Sequence, residues 1–301
     1  MTTTVGLPWL APAPPSTQVS ETPRPGAQAT RTPQTLRLRP VANARDLADN
    51  AAAKAAAEDD PTPAPGQWAY MKTLIAQTRT DNGEWISGRP ERTTTHELWR
   101  RADDKRFATI EDGELTIHRG SEFEVAYAFL LSLPTEPDAL LARVNEQIGA
   151  EEARQRESRY AELKQRTGDA RKAEKALGPA ASAEERHMWA FQYIAQGMRD
   201  AVLPAKLRAA MYGAMARIPG VKYAPRAADL AKRKGVTLYR VHSGYLRDEI
   251  FIDPETYAYL GYRIMAVRDH DKDHFTVRKG QITGWDALLR TAVVERAGRR
   301  S

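Results

Sequence analysis

The densest set of potential ligands in this chain is Asp269, His270, Asp271, Asp273 and His274. Two imidazoles with carboxylates between them are donor types that can hold a divalent cation. A four-residue spacing puts two side chains on one face only within a helix. Residues 269–274 instead fall between two strand-like runs, where a hairpin loop is expected, so the reading is a solvated loop with a metal site as the alternative. Asp253-Pro254-Glu255-Thr256-Tyr257 offers acids, but Asp followed by Pro is the signature of a type I turn. His96 and His118 lie in strand-like runs without a paired Ser or Asp motif, and His187 reads as a helix-surface residue. Gly120-Ser121-Glu122 lacks the Gly-x-Ser-x-Gly turn of a nucleophile elbow. The chain has neither a P-loop nor a Gly-x-Gly-x-x-Gly motif. It has no cysteine, which excludes disulfides, thiolate nucleophiles and Cys-ligated zinc. The expectation is a non-enzymatic protein with no catalytic, metal or cofactor residues.

Binding of an apolar ligand is the remaining chemistry. Trp68, Tyr70, Trp99, Tyr257 and Tyr259 sit in or beside strand-like runs. Met188, Phe191, Met198, Met211 and Met215 recur at helical spacing in the middle of the chain. Aromatics on a sheet closed over by a methionine-rich lid could line a cavity for a lipid or a peptide. The same pattern also describes an ordinary core.

The elements that would position these residues are legible in the hydrophobic period. Residues 46–58 are Ala-rich and helix-favouring, with Leu47 and an alanine stripe suited to close packing on a sheet. From Gln67 the period becomes two, giving a strand of about ten residues and then the turn Asp81-Asn82-Gly83. Residues 93–101, 105–110 and 115–118 read as further strands, separated by Asp103-Asp104 and Asp112-Gly113. Pro137 opens a helix in which Leu140, Val144 and Ile148 repeat, and residues 149–180 continue as a charged helical extension without a wide apolar stripe. Ser182 and Glu185 have capping-box spacing ahead of the next helix. Pro204 starts another, which Pro219-Gly220 stops. Residues 235–267 hold three aromatic and β-branched runs separated by Ser243-Gly244 and Asp253-Pro254, the pattern of an antiparallel meander. Residues 287–296 read as a last strand returning to the sheet edge. The expected fold is α+β: a single domain over 41–300 in which both β-rich ends join one curved antiparallel sheet, an open half-barrel with helices on its concave face.

Residues 1–40 are rich in Pro, Thr and Ala and poor in large apolar residues, so a disordered, polyproline-like tether is expected there. The formal charge is +6. Up to Pro65, six basic residues balance six acidic ones, so the excess lies in the folded part. A basic surface motivates the alternative of a cytoplasmic nucleic-acid-binding or regulatory protein. Basic and acidic residues are interspersed, which argues against that, and no nucleic-acid partner is expected. No stretch approaches the roughly 18 apolar residues of a transmembrane helix. No signal peptide is evident, although the opening residues followed by a Pro-rich arm are the kind of sequence found just outside a membrane span.

Several segments together carry a resemblance: 65–73 (PGQWAYMKT), 133–141 (LPTEPDALL), 203–212 (LPAKLRAAMY), 216–221 (ARIPGV), 251–261 (FIDPETYAYLG) and 292–300 (AVVERAGRR). As a set, spanning about residues 36–300, they resemble a family of uncharacterised actinobacterial membrane-anchored proteins often encoded beside extracytoplasmic-function sigma factors. The resemblance implies a transmembrane helix ahead of an extracytoplasmic domain, and a LolA/RseB-like half-barrel. It also implies a sensing or binding role in which a sigma-factor pathway protein is a partner. The membrane helix of that family is missing from this sequence. The family supplies no catalytic residue to carry over.

Overall fold

The fold is built around the pairing of strands from the two ends of the chain. The structure, a computed structural model, describes residues 38–58, 62–272 and 274–301. The expected tether lies outside the described residues apart from 38–40, as does Asp273. Helix α1 (Ala44–Ala56) begins where the Asn43 side chain accepts from the backbone N–H groups of Arg45 and Asp46. Strands β1 (Trp68–Ala76), β2 (Ile86–Ser87), β3 (Thr93–Arg101), β4 (Arg106–Glu111) and β5 (Glu114–Arg119) follow. Helices α2 (Tyr127–Ser132), α3 (Pro137–Thr167), α4 (Ala170–Leu177), α5 (Ala183–Arg199) and α6 (Ala205–Met215) fill the middle. Strands β6 (Lys222–Ala228), β7 (Lys234–His242), β8 (Leu246–Ile252), β9 (Tyr259–Ala266), β10 (His270–Lys272), β11 (Phe275–Val277) and β12 (Gln281–Val294) complete the chain.

The result is an α+β fold with one large antiparallel sheet in the order β5-β4-β3-β1-β12-β9-β8-β7-β6, with β2 also pairing β12. The order runs from one edge to another, so no closed barrel forms. The two β-rich ends meet in the pairing of β1 with β12, from Trp68 opposite Val294 to Ile75 opposite Asp286. The last strand is therefore not at the sheet edge, as its sequence position suggested, but in the middle. It pairs with β1 along its second half and with β9 along its first. Its alternation breaks near Thr283 and again near Leu289, where the register shifts. Such bulges let one long strand serve two partners with different twist. Edge strand β6 carries Pro225, Lys222 and Arg226, which blunt further pairing.

Alternation sorts the strand residues into two faces. Ala69 and Met71 of β1, Val236 and Leu238 of β7, Ile250 and Ile252 of β8 and Tyr259 and Tyr262 of β9 share a core with Phe191, Ile194 and Met198 of α5 and Leu207, Met211 and Met215 of α6. The intervening residues form two clusters of their own. One joins Trp68, Tyr70, Trp99, Ala108 and Val294. The other joins Phe251, Leu260, Ile282, Trp285 and Ala287. The helices thus pack on one face of the sheet. On the other face the chain's last residues cross Trp99, whose indole N–H donates to the Arg299 carbonyl at 2.5 Å, and Arg300 pairs with Glu97.

Two helical expectations are corrected. The alanine face of α1 packs on α6 rather than on a sheet, because alanines on both helices permit close approach. The charged stretch 149–180 is not one solvated extension. Helix α3 ends at Gly168, whose φ of +65° suits a glycine C-cap, and α4 folds back so that Leu163 and Ala173 are buried. Arg156 ties the return by donating to the carbonyls of Gly178 and Pro179. The Ser182–Glu185 capping box forms at the start of α5. Among the described residues no helix is long and apolar enough to cross a membrane.

Gly261 is where β9 passes closest to β12. Its φ is +151°, and an added Cβ would lie 2.3 Å from the Asp286 carbonyl oxygen and 2.8 Å from the Ala287 Cα. Backbone cannot yield as a flexible side chain can, so Gly261→Ala is expected to cost about 3 kcal/mol through overpacking and strain together. Urea denaturation of the variant measures this; a loss within about 0.5 kcal/mol, the range of an ordinary surface substitution, would contradict the described register.

Candidate functional site

The helices leave part of their face of the sheet uncovered. There, Met71, Thr73 and Ile75 of β1, Thr94, His96 and Leu98 of β3 and Leu288 of β12 line a groove of about 580 Å³. Thr109 and Ile110 of β4 flank it on one side. At its other side stand Arg199 and Asp200, at the end of α5, with Tyr259 and Asp286. A second cleft of about 450 Å³ lies between α3, α5 and β9, lined by Glu124, Glu151, Trp189, Tyr193, Gln196 and Tyr262 among others. Arg199 lines both, so the two clefts adjoin at its guanidinium.

Each charged group at this junction is placed by a regular element. Arg199 is the last residue of α5, where a cation complements the helix dipole. Its Nη2 lies 2.9 Å from Asp286 Oδ2, and its Nη1 donates to Gln196 Oε1 at 3.0 Å. Asp286, buried within β12, also accepts from the Tyr262 backbone N–H at 3.0 Å. Burial raises the Asp286 carboxyl above the ordinary carboxylate range, and Arg199 pulls it back. Burial works against the Arg199 charge, but Asp286, Tyr259 and Asp200 around it hold the guanidinium above its usual value. Asp200 caps the C-terminal end of α5, against the dipole. Its Oδ2 accepts from Gln196 Nε2 at 2.5 Å, and burial raises its carboxyl too. The Tyr259 hydroxyl is buried with no hydrogen-bond partner among the described residues, and burial followed by the nearby Asp286 raises it well above its usual value.

The anticipated cavity residues do not converge. Trp68, Tyr70 and Trp99 pack together on the far face, with the Tyr70 and Trp99 ring centroids 5.0 Å apart. Phe191, Met198, Met211, Met215, Tyr257 and Tyr259 belong to the helix-side core. Met188 is half-buried on α5 and outside that core. Of the ten, Tyr259 alone lines the groove of about 580 Å³ beside the end of α5. The cavity as anticipated is thus split by the sheet itself, because Trp68 and Tyr70 alternate with the helix-facing Ala69 and Met71.

The other candidates are placed as follows. Asp269 accepts from the Lys279 N–H and Asp271 from Thr276 Oγ1, both at 2.8 Å, so these carboxylates brace the β10–β11 hairpin. His270 stacks on Tyr245 with ring centroids 3.8 Å apart. No group of three potential metal ligands forms among the described residues. Asp253 accepts from the N–H groups of Glu255 and Thr256, as its turn requires. His118 lies 2.8 Å from Glu111 on the exposed β4–β5 hairpin. His96 lines the groove, with no carboxylate partner among the described residues. His242 was not singled out by sequence. Its Nε2 is 3.1 Å from Asp248 Oδ1 but misaligned for a hydrogen bond, and its Nδ1 is 3.3 Å from Ser243 Oγ. Neither cleft includes Ser243 or His242.

Comparison with known proteins adds no constraint: no family model, curated protein or solved structure matches the chain.

Two outcomes follow for stability. Tyr259→Phe removes an unpaired buried hydroxyl and is expected to raise unfolding free energy by about 1 kcal/mol in chemical denaturation; a loss of that size would show that the hydroxyl is bonded. For Asp200, the folded-state carboxyl binds its proton more tightly than the unfolded one. Stability therefore falls as pH rises from the ordinary carboxylate range through the raised folded value, and stays lower above it. Asp200→Asn is expected to gain on the wild type across that interval in pH-dependent denaturation. A gap that is flat or narrows with pH would contradict the raised value.

Proposed function

We propose that this protein is a non-enzymatic binding or sensing module whose ligand is an amphiphile with an apolar chain, held in the groove beside the end of α5. The observation that carries this reading is the groove's composition. Met71, Ile75, Leu98 and Leu288 offer apolar contact along the sheet, Arg199, Asp200, Asp286 and Tyr259 gather polar groups on one side, and the mutually paired Glu97 and Arg300 also border the groove. Ligand sites commonly combine an apolar lining with a few convergent polar groups. A buried hydroxyl left unpaired is costly, and a ligand atom would relieve it. Ile75 stays partly exposed at 37 %, as a residue reserved for such contact would.

In its finer form, the reading takes the sheet as the half-barrel of lipoprotein carriers and sigma-regulatory sensors. The resemblance of residues 36–300 to the actinobacterial membrane-anchored family supports an extracytoplasmic setting and a link to a sigma-factor pathway. A sensor of that kind needs a ligand-binding surface rather than a reaction centre, and the mixed lining of the groove supports that role.

The test is incubation with a membrane-lipid extract, removal of free lipid, and native mass spectrometry of the protein. The wild type is expected to retain single-chain or acyl lipid. Ile75→Glu, which sets a charge against the alkyl chain, is expected to retain less than about a tenth as much. A wild type that emerges without bound lipid, or with bound peptide in its place, overturns the assignment.

A further inference from the structure

We infer that the head group accepted at the groove's polar end is a primary ammonium, so that the ligand is a long-chain amine or a lipid whose head carries one; the inference rests on the amphiphile reading above. The charges at the junction point to it. Arg199 is neutralised by Asp286 and Arg100 by Asp104, at 2.9 and 2.7 Å. All three hydrogen-bonding nitrogens of Arg100 are engaged, one with Asp104 and two with the carbonyls of Asp200 and Val125. Of the carboxylates lining the groove and the adjoining cleft, Asp200, Glu124 and Glu151 have no ion pair among the described residues. Asp200 lines the groove and Glu124 and Glu151 line the adjoining cleft; burial disfavours the charge of Asp200, Arg199 and Arg100 favour it, and Glu124 opposes it more weakly. Counted as groups, carboxylates outnumber the two arginines at the junction, and the Arg199 guanidinium is already paired.

The hydrogen-bonding inventory agrees. Asp200 uses Oδ2 for Gln196 and has Oδ1 free of any hydrogen bond among the described residues. The Tyr259 hydroxyl, on a side chain only 6 % exposed, has no partner either, and its oxygen can accept. An ammonium brings three donors and no acceptor, which suits two unsatisfied oxygens. A carboxylate head would bring only acceptors, and it would face Asp200 and Asp286.

Titration calorimetry with decylamine, decanol and decanoate, each below its micelle concentration, tests this. A lysolipid with an ethanolamine head group serves as a fourth arm. Decylamine is expected to bind about tenfold more tightly than decanol, the worth of one charge-assisted hydrogen bond, and decanoate least. Asp200→Asn is expected to bring decylamine to within about twofold of decanol while leaving decanol unchanged. Glu124→Gln, at an exposed position that folding tolerates, is expected to reduce the preference by a smaller factor in the same direction. Binding of the lysolipid assigns the ammonium to a lipid head, whereas binding of decylamine alone assigns it to a free amine. Equal binding of the three decyl compounds, or a preference for decanoate, overturns the ammonium and leaves the amphiphile reading standing. Binding of none of the compounds overturns both.

Discussion

The antiparallel pairing of β1 with β12 is the constraint on which the remainder of the structure rests. It joins the strands before the helical middle to those after it. Without it, the helices would have two half-sheets to cover, and neither half offers a complete face. Non-local pairing of this kind carries a loop-closure cost that the core must offset. The core does so from both sides of β1. Ala69 and Met71 bury against the helices, while Trp68 and Tyr70 bury against Trp99 and the chain's last residues.

The same pairing creates the candidate site. Strand β12 brings Asp286 to the helix side at the point where α5 ends, and the Arg199–Asp286 ion pair links helix to sheet. A buried ion pair is weak evidence for stability, since desolvation can match the attraction. Its better-supported consequence is position. It fixes the end of α5 over the sheet, and the face beyond that end stays open as the groove. Asp200, one residue further, then stands at the groove with its charge opposed by the helix dipole. Local conflicts of this kind, together with the orphaned Tyr259 hydroxyl, concentrate where natural proteins keep function rather than stability.

Much of this architecture was legible in the chain. The turns Asn82-Gly83 and Asp112-Gly113 stand beside strands, so several strand limits can be read locally. The capping box at Ser182 is likewise a local signal. What could not be read depends on distant partners. The central place of β12 follows from bulges and from a run, Trp285-Asp286-Ala287-Leu288, that is apolar on both faces around one acid. That run is itself the mark of a doubly covered strand. The split of the aromatic set follows from alternation in β1: Trp68 and Tyr70 are two residues apart and so share a face, but nothing local says which face the helices will take. The Arg199, Asp200 and Asp286 constellation gives only a faint sign in sequence, an acid within an apolar strand and another at a helix C-terminus.

Native-state hydrogen exchange as a function of denaturant tests the central claim most directly, because it reports which strands open together. If the two ends form one sheet, the slowest amides of β1 and β3 and those of β8, β9 and β12 will converge on a single global unfolding free energy with one denaturant slope. If β1 and β3 exchange through a separate, lower-energy opening while β8 and β9 keep full protection, the ends are independent bodies, and the groove between them is not a feature of the folded protein.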